Sequence, residues 1–271
     1  MSEMQGFATV NGARLYYEVA GEGHPLVLVH GFSLDTRMWD AQFEMLAQHY
    51  RVIHYDLRGF GKSALPTGES YAHHDDLKVL LDHLGIAHAY LLGLSLGGAI
   101  TVEFTLVYPQ VTRALILVDT VLWGFQWSAE QSAMDGAIWA QARESGGQAA
   151  KELWLNHPLF GPARRNPAVA SRLAQIVSDY SGWHFIHSDP GRAPDPPAAR
   201  RLDQICVPTL VIVGERDLPD FRRIADTCEQ QIVNAHKVIL PDAGHMSNME
   251  AADRFNETVL GFLANIEPGA P

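Results

Sequence analysis

The chain has 271 residues, 47% of them hydrophobic, which is enough to bury one sizeable core and suits a single α/β domain carrying an insertion. A formal net charge of -11 argues against a nucleic-acid partner, because phosphate binding needs a basic patch and close pairs such as Arg164-Arg165 and Arg222-Arg223 are scattered. The opening "MSEMQGFATVNG" has neither a basic nor an apolar leader region, and no stretch approaches about 18 uncharged apolar residues, so a soluble, cytoplasmic protein with no membrane partner is expected. Cys206 and Cys228 are too few for a disulfide scaffold and lack metal-ligand spacing; both read as free, buried thiols.

In chain order, "RLYYEVAG" reads as a first strand, "HPLVLVHG" as a buried one, and "RVIHYDLRG", "AYLLGLS" and "RALILVDT" as three more. "PTLVIVGERD" and "HKVILPDAGH" close the series. Between them lie helical patterns: "MWDAQFEMLAQHY", "YAHHDDLKVLLDHLG", "LGGAITVEFTLVYP" and finally "NMEAADRFNETVLGFLANI". Continuous Val/Ile/Leu runs in this alternation predict a mostly parallel sheet covered by helices on both faces. The rhythm breaks over residues 121–200, which hold five of the six tryptophans and end in the proline-rich "DPGRAPDPPAARR". We therefore expect an α/β core of residues 1–120 and 201–271, with 121–200 inserted as a helical cap.

Gly93-Leu94-Ser95-Leu96-Gly97 ends a buried strand and opens a helix. Such a turn must be sharp, and flanking glycines remove the Cβ atoms that would collide in it. This is the G-x-S-x-G nucleophile-elbow pattern, which lifts a hydroxyl above the sheet at a helix N-terminus and leaves the next N–H free for an oxyanion. The competing reading is a tight turn whose serine merely caps the helix.

A serine hydroxyl needs a base, and the base an orienting carboxylate, both from the ends of later strands. Asp217 follows "LVIVGER" and His245 follows "VILPDAG", in the order Ser, Asp, His. Asp119, after the strand that follows the elbow helix, ranks second as the acid, and Glu215 is a further rival. The loop after "LVLVHG" supplies a second oxyanion donor in the N–H of Phe32, beside that of Leu96, while His30 is expected to brace the loop.

The segments "VLVHGFSLDTRMWD", "LGLSLGGAI", "PTLVIVGERD" and "LPDAGHMSNMEAADRFNETVLGFL" resemble the α/β-hydrolase fold superfamily along nearly the whole chain. The resembling branch holds 3-oxoadipate enol-lactonases, small carboxylesterases, non-haem haloperoxidase-like esterases and some acyl-homoserine lactonases. The resemblance implies an eight-stranded, mostly parallel sheet, a helical lid, the triad Ser95, Asp217 and His245, and oxyanion donors Phe32 and Leu96. Ala252 departs from the pattern, since many relatives carry proline there. Serine at position 95 argues against dehalogenase and epoxide-hydrolase chemistry, whose relatives place aspartate at the elbow.

No cofactor or metal is expected. "GFGKS" imitates a P-loop end, but the required first glycine position is Asp56, and the adjacent residues of "HHDD" at 73–76 point about 100° apart on a helix. Aromatic residues of the cap suggest an apolar pocket, with Leu122, Trp123, Trp139 and Trp154 as candidate lining. The cap's nearly balanced charge disfavours a dicarboxylate. The expected activity is therefore that of a carboxylesterase with lactonase capability, N-acyl homoserine lactones included. A 3-oxoadipate enol-lactonase and a cofactor-free oxygenase or lyase are the alternatives.

Overall fold

A computed structural model describes residues 4–192 and 194–266. They form one eight-stranded sheet in the order β1-β2-β4-β3-β5-β6-β7-β8. Its strands are β1 (Met4–Val10), β2 (Ala13–Ala20), β3 (Pro25–Val29), β4 (Arg51–Tyr55), β5 (Ala89–Leu94), β6 (Thr112–Val118), β7 (Thr209–Gly214) and β8 (Ala235–Leu240). From β4 to β8 every neighbouring pair is parallel, whereas β1 pairs with β2 and β2 with β4 antiparallel. This is the α/β-hydrolase sheet expected from the sequence. The sequence reading omitted β1, although Asn11 and Gly12, both at positive φ (44° and 78°), join it to β2 in the two-residue Asn-Gly turn that favours a hairpin.

The central strands are buried on both faces because alternate side chains feed two separate cores. On β5, Leu91 packs on one side and Tyr90 and Leu92 on the other; on β7, Val211 and Val213 oppose Leu210 and Ile212. Helices cover both faces: α1 (Asp40–Leu46), α2 (His73–His83) and α3 (Leu96–Val107) come before β6. Between β6 and β7 run α4 (Ala129–Leu155), bent at Gly146, α5 (Pro167–Asp179) and the single turn α6 (Trp183–Ile186). After β7 come α7 (Pro219–Gln231), α8 (Ser247–Glu250) and α9 (Ala252–Leu263).

Two helices expected to be continuous are broken. The first opens as a 3-10 turn over Thr36–Trp39 before α1, and the last is interrupted at Ala251 (φ -132°, ψ 48°). Buried amides knit these pieces together: Asn248 donates to the Met38 carbonyl (2.8 Å), Gln42 to the Asn248 carbonyl (3.0 Å) and Asn256 to the Ala41 carbonyl (2.9 Å). Each bond satisfies a backbone acceptor at a helix irregularity, those of Met38 and Asn248 being buried. Cys228 is buried as expected, but Cys206 is exposed, because it lies in the loop leading into β7 rather than on an element face. No helix among the described residues is long and apolar enough to cross a membrane.

Candidate active site

Ser95 sits between β5 and α3 with φ 53° and ψ -114°, a backbone region costly for any residue with a Cβ. Its surroundings hold it there. The Ser95 N–H donates to the Val118 carbonyl (2.9 Å), extending the β5–β6 ladder, and its own carbonyl accepts from Val121 (3.1 Å) and Ala99 (3.2 Å). Close packing explains the glycines: a Cβ on Gly93 would lie 2.2 Å from the Gly97 carbonyl oxygen, and one on Gly97 would lie 2.1 Å from that of Val29. The Ser95 side chain makes no capping bond to α3, which removes the capping-serine reading. It lines a cavity of about 240 Å³ instead.

The β3 loop lies against the serine, since a Cβ on Gly31 would be 3.4 Å from the Ser95 Cβ. Phe32 and Leu96 share the cavity wall with Ser95, and neither N–H has an acceptor among the described residues; that of Leu96 is orphaned by opening α3. His30 braces this loop. It is fully buried, its Nδ1 donating to the Gly31 carbonyl (2.8 Å) and its Nε2 accepting from the Leu57 N–H (2.9 Å).

His245, after β8, donates from Nδ1 to Asp217 Oδ2, after β7, at 3.0 Å. That bond leaves Nε2 as the nitrogen able to accept a proton. Among the described residues the Ser95 hydroxyl makes no hydrogen bond to His245 in this conformation; such pairs commonly tighten only around substrate. Burial lowers the His245 pKa to about 4, against smaller opposing effects of Asp119 and Glu250, so the imidazole is neutral at pH 7. Glu250 fixes the turn that carries it, accepting from the Gly244 N–H (2.9 Å) and the Met246 N–H (3.1 Å).

Asp119 is not bonded to the imidazole. Its Oδ1 accepts from the Gly214 N–H (2.8 Å) and its Oδ2 from the Ser247 hydroxyl, which ties β6 to β7 and to α8. Burial pushes the carboxyls of both Asp119 and Asp217 well above the ordinary value, and the charge of Asp217 pushes Asp119 further. Glu215, the other rival, is exposed and accepts from the Asp242 N–H.

Of the four candidate pocket residues, Trp139 and Trp154 line the cavity with Ser95, together with Trp127, Ile138, Phe185 and Phe221. Trp123 lines a separate cavity beyond Phe32. Leu122 is not on the wall beside Ser95; it is 1% exposed within the core, because the chain turns inward directly after β6.

Sequence reasoning missed the role of Phe32 as a packing hub. Its ring meets Phe60, Trp139, Trp154, Tyr180, His184 and Phe185 edge-on at centroid distances of 5.5–6.3 Å. Trp154 Nε1 also donates to the buried Ser33 hydroxyl at 2.6 Å. The aromatic residues between β6 and β7 thus hold the loop that carries the Phe32 amide. Phe221 was missed as well; its ring lies 4.3 Å from that of His245 and packs the imidazole in place. Only its position on α7, just after Asp217, could have signalled it.

Known proteins share this fold. The alpha/beta hydrolase fold family matches residues 24–252, and the chain belongs to that family. An esterase from Thermogutta terrifontis is 30% identical over 97% of this chain and 99% of its own, with a TM-score of 0.83. The enol-lactonase from Burkholderia xenovorans is 29% identical over 96% of this chain and all of its own (TM-score 0.81). Est816, described as degrading N-acyl homoserine lactones, is 25% identical over 95% of this chain and all of its own (TM-score 0.72).

Proposed function

We propose that the chain is a serine hydrolase that cleaves carboxylic esters and lactones through an acyl-enzyme. The observation that carries this reading is a strained, uncapped serine on the wall of an apolar cavity, with a buried His245–Asp217 pair on the neighbouring strand ends. His245 Nε2 takes the Ser95 proton as Oγ attacks the carbonyl carbon. The amides of Phe32 and Leu96 hold the oxyanion, and each such donor supplies about 3 kcal/mol of barrier reduction. Collapse of the tetrahedral adduct expels the alkoxide oxygen, which receives its proton from His245. Water activated by the same imidazole then releases the acid and restores the serine.

Residues 121–200 act in this reading as the cap, closing the cavity with Trp127, Ile138, Trp139, Trp154 and Phe185. The wall holds no lysine or arginine and includes Asp135, which favours an uncharged acyl group over the dicarboxylate of a 3-oxoadipate enol-lactone. Lactones with an apolar tail, N-acyl homoserine lactones among them, fit that lining. Proton release from matched panels of linear esters and N-acyl homoserine lactones tests the assignment, with turnover expected for wild type and lost in Ser95→Ala. A cofactor-free oxygenase or lyase would use His245 without Ser95, so a Ser95→Ala protein that keeps its activity overturns the proposal.

A further inference from the structure

A second cavity, of about 230 Å³, begins where the first ends, because Phe32 and Leu96 belong to both walls. Its lining differs in kind: His73, His184, Asp189 and Arg192 stand beside Phe60 and Trp123. The sheet order fixes which part of a substrate can reach it. The leaving oxygen must face His245, after β8, whereas Phe60 follows β4, two strands from β5 on the side away from β7 and β8. A substrate bound with its leaving oxygen at His245 can therefore extend its acyl chain from the first cavity past Phe32 into the second.

Two of its polar groups, the His184 imidazole and the Asp189 carboxylate, face each other across a gap. The His184 side chain is 6% exposed and stacks on Phe60 (centroids 4.4 Å apart, planes at 13°). The Tyr180 oxygen accepts the His184 backbone N–H (3.1 Å) and lies 2.7 Å from His184 Nδ1; the tautomer in which the hydroxyl donates to Nδ1 leaves the ring proton on Nε2, facing the Asp189 carboxylate. That Nε2 is buried with no hydrogen-bond partner among the described residues. The nearest carboxylate oxygen, Asp189 Oδ2, is 3.8 Å away, too far for a direct bond. Asp189, whose side chain is 37% exposed, is oriented through its Oδ1, which accepts from the Tyr71 hydroxyl (3.0 Å) and the Gly191 N–H (2.9 Å). A donor and an oriented acceptor thus face one gap, and one hydroxyl can satisfy both by accepting from Nε2–H and donating to Oδ2. The one guanidinium on the wall, Arg192, is 2.8 Å from Asp75 Oδ2, so a carboxylate would meet Asp189 with no unpaired cation to offset it.

We propose that this second cavity is a subsite selecting esters or lactones whose acyl group carries a distal hydroxyl, bridged between His184 Nε2 and Asp189 Oδ2. The assignment rests on the ester and lactone reading above.

The test compares methyl ω-hydroxyalkanoates with the methyl alkanoates one carbon longer, which replace the hydroxyl by a methyl group of similar size, across acyl lengths. Monomethyl dicarboxylates form the third series. At the length that spans the gap, kcat/KM for the hydroxy ester should exceed that of its methyl isostere by about tenfold. In His184→Phe, which keeps a ring on Phe60 but lacks the donor, that ratio should fall to about one whatever the absolute rate; Asp189→Asn provides a second reading of the same ratio. A wild-type ratio near one at every length, a ratio unmoved in both variants, or a preference for the carboxylate series overturns the subsite. Turnover of the alkyl esters with any of these results leaves the hydrolase reading standing, whereas no turnover of any ester removes that reading and the subsite with it.

Discussion

Gly97→Ala tests whether the site is built by close approach of the elbow helix to β3. The added Cβ would meet the Val29 oxygen at 2.1 Å, the Val29 carbon at 2.6 Å and the His30 oxygen at 2.7 Å. All three are backbone atoms, so no rotamer change relieves the clash, and reaching an ordinary 3.4 Å contact needs a shift of about 1.3 Å between α3 and β3. Overpacking of this kind costs about 3 kcal/mol, at the upper end of the usual range. The melting temperature should fall by roughly 6 to 10 °C, read by circular dichroism. The strand that must move leads into Phe32, and a misplacement of about 1 Å costs about 100-fold in rate, so kcat should fall while KM changes less. Gly261→Ala in α9 is the control: nothing lies within 4 Å of its added methyl, and it should stabilise by about 0.5 to 1 kcal/mol. A Gly97→Ala protein that melts within about 2 °C of wild type and keeps its activity would refute the packing argument.

Asp217→Asn should cost about 10⁴-fold in kcat by leaving His245 in the wrong tautomer, whereas Asp119→Asn, which keeps an acceptor for Gly214 or Ser247, should stay within about tenfold. The reverse order would make Asp119 the orienting acid. Because burial lowers the His245 pKa to about 4, the neutral base persists above that pH and is lost below it. The acid limb of kcat/KM should therefore fall near pH 4, and a midpoint near 6.5 would mean that the imidazole is solvated. Trp139→Ala should change acyl-length preference, whereas Leu122→Ala should leave preference alone and lower stability by about 2 to 5 kcal/mol, measured by urea unfolding.

The parallel core was legible because its strands are continuous apolar runs, and the elbow because Gly93 and Gly97 bracket a lone serine at the end of one of them. The hairpin strand β1 hid behind an exposed, polar alternation in "MQGFATV", although Asn11-Gly12 signalled the turn. The break at Ala251 was marked only through the resemblance, whose relatives carry proline at the next position; what fixes it is the Glu250 carboxylate bonded to the nearby His245 turn and the distant bond of Asn248 to Met38. The candidate acid and base were readable as residues at strand ends, with Asp217 ranked ahead of Asp119, but what each carboxylate bonds to was not. Asp119 and Asp217 were rivals on paper, and only the register of β6, β7 and β8 sends one to the Gly214 amide and the other to the imidazole. The aromatic residues between β6 and β7 suggested a pocket. That six aromatic rings converge on Phe32, two of them from the walls of the second cavity, depends on long-range packing that no local pattern encodes.

An acyl-enzyme on Ser95 is open to direct detection by intact-protein mass spectrometry after rapid acid quench. With a slowly released ester or an N-acyl homoserine lactone, wild type should gain the mass of one acyl group, localised to the peptide containing Ser95, and Ser95→Ala should gain none. Steady turnover with no adduct in wild type, or turnover that survives in Ser95→Ala, would contradict the account and leave His245 acting without a serine nucleophile.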